Sequence, residues 1–80
     1  MKIIKRRADA KIKMTEVGGI TILTIYVPEE APEPRVTIGE KRVRHFAVGF
    51  CIRTCNTDVD QRPGEAAYYY YLSDGTITIE

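Results

Sequence analysis

The chain has 80 residues, 44% of them hydrophobic, and carries 12 Lys and Arg against 11 Asp and Glu for a formal net charge of +1. This length supports one domain, residues 1–80, with a single modest core, and the apolar content excludes a disordered chain. No apolar run is long enough to cross a bilayer as a helix, and the basic N-terminal segment lacks the apolar stretch of a signal peptide, so the expectation is a cytoplasmic protein without membrane contact.

Ile3 and Ile4 open the chain as a short strand. Ala8, Ala10, Ile12 and Met14 then alternate with Asp9, Lys11, Lys13 and Thr15, the period of a half-buried strand. Gly18-Gly19 follows as a two-residue hairpin loop. It predicts pairing of Met14 with Leu23, Ile12 with Ile25 and Ala10 with Val27, and puts Lys11, Lys13, Thr15, Ile22, Thr24 and Tyr26 on the opposite face. Residues 28–34 contain Pro28, Pro32 and Pro34 together with Glu29, Glu30 and Glu33. Prolines remove ladder donors, so this is an extended acidic loop.

Residues 35–38 form a short strand that turns at Gly39-Glu40. Residues 41–53 form the longest predicted strand, and its pattern contradicts itself. The turn puts Val36, Ile38, Val43, His45 and Ala47 on one face, whereas Phe46, Val48, Phe50 and Ile52 read as the core set on the other. A bulge between Val43 and Phe46 reconciles them; so does a closed barrel covered on both faces. If both lie on one strand, Cys51 and Cys55 stand about 13 Å apart, too far for a disulfide, whereas a bend after Arg53 brings them closer; they are expected to be reduced. Residues 56–65 read as a polar loop with Pro63-Gly64 at a type II turn.

The last segment holds four consecutive tyrosines, Tyr68 to Tyr71, then Leu72, Ser73 and Asp74-Gly75. Asp-Gly is the signature of a type I′ hairpin turn. It predicts Tyr71 opposite Thr78 and Tyr70 opposite Ile79, with Tyr70, Leu72, Ile77 and Ile79 on the core face. Tyr69, Tyr71, Thr76, Thr78 and Glu80 take the other. The fold expected is therefore all-β: five to six antiparallel strands in meander hairpins, curled into a bent sheet or small barrel. The alternative is α+β with one short helix over 65–72.

Chemistry-bearing motifs are sparse. Asn56, Asp58 and Asp60 begin like a calcium loop, but Gln61 stands where the loop needs Gly and Ala67 where it needs Glu. His45, Cys51 and Cys55 fall short of the four paired ligands of a structural zinc site. His45 is the sole candidate base for a nucleophilic mechanism, and no nucleophile elbow or phosphate-binding glycine loop accompanies it. The expectation is a protein that is not an enzyme and takes no metal or cofactor.

Three binding functions follow. The first is a protein-binding module or inhibitor that occupies a partner's surface through Tyr26, Tyr69 and Tyr71 with Glu29, Glu30 and Glu33, since tyrosines supply rigid amphipathic contact area. In its small size and lack of motifs the chain resembles the small phage-encoded inhibitors of the anti-CRISPR type, which implies a protein partner. The second is single-stranded nucleic-acid binding, with Lys11, Lys13, Arg42 and Arg44 on phosphates and the tyrosines stacking on bases. The third is assembly through an exposed strand edge, as in a homodimer. Near-neutral charge and the acidic proline loop place the protein partner first.

Overall fold

The computed structural model describes residues 2–50 and 64–80. Within them the chain is all-β, as its alternating patterns predict. Eight strands form: β1 (Lys2–Lys5), β2 (Lys11–Val17), β3 (Ile20–Pro28), β4 (Val36–Ile38), β5 (Lys41–Val43), β6 (Ala47–Phe50), β7 (Glu65–Tyr71) and β8 (Thr76–Ile79). They make two four-stranded sheets, ordered β1-β8-β4-β5 and β2-β3-β7-β6. This is more strands than the five or six expected, in two separate sheets instead of one curled sheet. The 65–72 segment holds strand β7, which ends at Tyr71, and no helix.

The first hairpin forms as its sequence dictates. Lys11 to Val17 pairs with Tyr26 to Ile20, with Ile12 opposite Ile25 and Met14 opposite Leu23. Gly18 and Gly19 have φ of 57° and 81°, the left-handed values that both central positions of a type I′ turn require. Ala10 precedes the ladder, yet it is fully buried. At the Gly39-Glu40 turn Ile38 pairs with Lys41 and Val36 with Val43. Gly64 has φ of 84°, as the second central position of a type II turn demands. The expectations for Ile52, Cys51, Cys55, Asn56, Asp58, Asp60 and Pro63 lie outside the described residues.

Two expectations fail. Asp74-Gly75 does not close a hairpin. Among the described residues no residue other than glycine has positive φ, so Asp74 lacks the conformation of a type I′ turn. Instead the chain passes from one sheet to the other here. β7 lies between β3 and β6, and β8 lies between β1 and β4. The β3–β7 ladder runs for seven residue pairs, more than the four that β8 could offer with its four residues. β8 pairs antiparallel with β4 and parallel with β1, which sets Ile3 beside Ile77 and Lys5 beside Ile79. Gly75 suits its φ of 139°, which L side chains rarely adopt, and a Cβ there would stand in tight contact, 3.3 Å, with Ile38 Cγ2.

The predicted strand over 41–53 is also broken. β5 ends at Val43, and β6 begins at Ala47 in the other sheet. The conflict between its two faces is resolved by this change of sheet, with no bulge involved. Phe46, Val48 and Phe50 are 45%, 40% and 55% exposed, so they are not core. Among the described residues β6 is the outermost strand of its sheet.

The core lies between the two sheets. Leu23, Ile25 and Val27 of β3, with Ala66 and Tyr70 of β7, meet Val36 and Ile38 of β4 and Ile77 and Ile79 of β8. Full burial of each large aliphatic side chain contributes about 1.5–3 kcal/mol. The segments 6–10, 29–35, 44–46 and 72–75 carry the chain between the sheets. Backbone bonds extend the ladders into them: Arg6 N–H to Ile79 O (2.8 Å), a reciprocal pair between Arg35 and Glu80 (2.8 and 2.9 Å), and Leu72 N–H to Thr21 O (3.0 Å).

This core makes a prediction that separates the two readings of the apolar residues. In urea denaturation Ile77→Ala should cost about 2–5 kcal/mol, whereas Val48→Ala should cost less than about 1 kcal/mol. Equal losses would place Val48 in the core after all.

Candidate functional site

The outer face of the β2-β3-β7-β6 sheet carries half of the candidate residues: Lys11, Lys13, Tyr26, Tyr69 and Tyr71. Cross-strand rows run Lys11–Tyr26–Ala67–Gly49, then Lys13–Thr24–Tyr69–Ala47, then Thr15–Ile22–Tyr71. Phe46, one residue before β6, joins the third row. Its N–H donates to Tyr69 O at 2.8 Å, which brings its ring over the tyrosines. The Phe46 and Tyr71 rings stack with centroids 4.0 Å apart and planes 12° apart, and Tyr69 lies 6.2 Å from Phe46 at a tilt of 44°. Tyr71 is 54% exposed. Val17 and Ile20, also exposed, face each other at the hairpin end of the same face. The result is an aromatic shelf with an aliphatic border.

Tyr26 is a correction. It lies on the expected face, but only 7% of it is exposed, so it is no contact residue. The residue directly across from it is Ala67, with Gly49 beyond. Phe46 was missed because the alternation of Phe46, Val48 and Phe50 imitates a core strand.

The acidic loop is not part of the shelf. Glu29 and Glu30 are exposed just past the end of β3, where Glu29 N–H donates to Gly64 O at 2.9 Å. Tyr71 pairs with Ile22, seven residues from Glu29, or about 23 Å along the strand. Glu33 turns elsewhere, with Oε1 2.6 Å from His45 Nδ1, an ion-pair distance that does not meet hydrogen-bond geometry. His45 stands edge-on to Tyr68 (5.3 Å) and Tyr70 (6.3 Å). Glu33, Arg42, Arg44 and His45 line a cleft of about 450 Å³. Nearby, Arg7 makes two 2.9 Å bonds to the Asp9 carboxylate and a 2.8 Å bond to Pro32 O. The Arg7 guanidinium holds the Asp9 carboxyl below its usual range.

The four basic residues of the nucleic-acid reading are split. Lys11 and Lys13 lie on β2, one margin of the second sheet. Arg42 lies on β5 and Arg44 just after it, at the far margin of the other sheet. The strand that follows them, β6, is three strand spacings from β2, about 14 Å. Among the described residues no three His, Cys, Asp or Glu side chains gather as a metal site would require, and no helix is long and apolar enough to cross a membrane.

Tyr70 ties the proline loop to the core: its buried hydroxyl donates to Pro34 O at 3.4 Å. Burial, and secondarily the charge of Glu33, pushes the Tyr70 phenol well above its ordinary value, and burial raises Tyr68 in the same direction. A phenol whose pKa is raised in the folded state binds its proton more tightly there than in the unfolded chain. Stability is therefore unaffected below the unfolded value of about 10 and falls as pH rises beyond it. Urea titrations from neutral pH to about pH 11 should show this alkaline loss in the wild type and a shallower one in Tyr70→Phe. The same slope in both would remove Tyr70 as its cause. Comparison with family models, with curated proteins and with solved structures finds no match for this chain.

Proposed function

We propose that this chain is a non-catalytic protein-binding module, acting in the cytoplasm as an inhibitor of the kind small phage-encoded proteins provide, by covering a partner protein's surface. The stacked, exposed Phe46–Tyr71 pair carries this reading. Aromatic residues fixed in place by neighbouring rings give contact area at low entropic cost and are enriched where binding energy concentrates. Val17, Ile20 and Ile22 border the shelf. Aliphatic side chains add to a protein interface and contribute nothing to phosphate recognition. Tyr69 and Tyr71 keep their assigned role, Phe46 joins them, and Glu29 and Glu30 are too distant to touch the same small epitope.

One observation favours the nucleic-acid reading. Lys13 shares a cross-strand row with Tyr69, so a cation and a stacking surface lie on one face. Arg42 and Arg44 do not extend that face, which leaves it with few phosphate contacts.

A photo-crosslinking amino acid placed at Tyr71 tests the proposal, with the same group at Thr37, on the outer face of the other sheet, as control. A defined protein adduct at position 71, absent at position 37 and lost on Phe46→Ala, is expected. Equal labelling at both positions would reject the shelf as the contact surface. Fluorescence anisotropy with single-stranded DNA and RNA decides the second reading. Tight binding at physiological salt that weakens in Lys13→Ala would replace the protein partner with a nucleic acid.

A further inference from the structure

We infer that the free margin of β2 is a homodimerisation surface, on which a second copy of this chain adds its own β2 antiparallel, in the register that sets Met14 opposite Met14. Among the described residues β2 is the outermost strand of its sheet and all seven of its residues are exposed. The other outermost strands, β1, β5 and β6, have four, three and four residues among those described. Short outer strands are a common defence against unwanted pairing, and β2 lacks it.

The hairpin loop sets which backbone groups of β2 point outward. In a two-residue hairpin the pair flanking the loop exchanges both hydrogen bonds, and every second pair does the same. Starting from Val17 and Ile20, the pairs bonded to β3 are those of Val17, Thr15, Lys13 and Lys11. The phase has an independent check on the far side of β3, where Thr21 O accepts from Leu72 N–H and Glu29 N–H donates to Gly64 O. Odd-numbered residues of β3 thus face β7, and even-numbered ones face β2. It follows that the N–H and C=O groups of Ile12, Met14 and Glu16 point away from the sheet.

Those groups select a partner strand and a register. A two-fold axis perpendicular to the sheet keeps each face on its own side, so Ile12, Met14 and Glu16 must pair with one another. Centring on Met14 joins all seven residues: Met14 with Met14, Ile12 with Glu16, Lys13 with Thr15 and Lys11 with Val17. No like charges stand opposite. Centring on Lys13 or Glu16 opposes a charge with itself, and centring on Ile12 opposes Lys11 with Lys13, all unfavourable. Centring on Thr15 avoids this but pairs fewer residues. The apolar side chains that overhang the core on this strand, Ile12 (38% exposed) and Met14 (44%), move into the seam in the chosen register. The two outer faces then join into one eight-stranded surface with an aromatic shelf on each half.

Sedimentation equilibrium from micromolar to millimolar concentration tests this. A concentration-dependent dimer is expected. Met14→Pro removes the central outward N–H without touching a bond to β3 and should abolish the dimer. Val17→Glu sets a carboxylate opposite the partner's Lys11 and should tighten the dimer about fivefold, while Val17→Lys should weaken it about fivefold. Val17 is 59% exposed, so both Val17 variants keep the fold and the test stands even if Met14→Pro unfolds. A monomer throughout the range, a folded Met14→Pro that still dimerises, or Val17 variants that shift the constant equally would each overturn the inference.

Discussion

Neither sheet of this protein can stand alone; everything rests on the contact between their two apolar faces. Among the described residues each sheet has four strands and one face that water disfavours, and the seam where Leu23, Ile25 and Tyr70 meet Val36, Ile77 and Ile79 removes both from solvent at once. With so few residues the chain must contribute strands to both sheets in turn, and it crosses between them four times among the described residues. The crossings are themselves held. Tyr70 reaches Pro34, Arg7 reaches Pro32 and Asp9, and Glu33 reaches His45. The acidic proline segment, which reads as a loose exposed loop, is therefore a fastened strap over one end of the seam.

The sequence reveals faces better than it reveals neighbours. Tyr70, Leu72, Ile77 and Ile79 do converge on the core, as their alternation says, but they meet across the gap between sheets and not side by side within one. Period-two alternation is identical in the two cases, because it records which side of a strand is buried and not what lies there. Local turn chemistry settles the matter where glycine supplies the left-handed φ that a two-residue hairpin needs, as Gly18 and Gly19 do together and Gly39 does at the first position of its turn. Asp74 must accept it at some cost, and the long β3–β7 ladder outweighs that local preference. The parallel pairing of β1 with β8 joins residues more than seventy positions apart, and no local signal records it.

The candidate surface was partly legible for the same reason. Tyr69, Tyr71 and Lys13 fall on the face their register assigns. Tyr26 shares that face but is buried, and Phe46 is exposed although its pattern says core. Depth depends on the size of cross-strand neighbours and on distance from the sheet margin, and both require the strand order. Pairings such as Glu33 with His45 join separate crossings and become visible only when the two sheets are stacked.

The parallel ladder between β1 and β8 has a mechanical consequence. The strands run side by side in one direction, so the chain enters β1 at one end of the ladder and leaves β8 at the other. Tension applied through these two strands pulls them past each other along their length. Every hydrogen bond of the ladder is then loaded together, as in a lap joint, instead of opening one after another like a zipper. Under stretch this protein should yield abruptly, and the resistance should reside in the rows that join Ile3 to Ile77 and Lys5 to Ile79, far from the aromatic shelf.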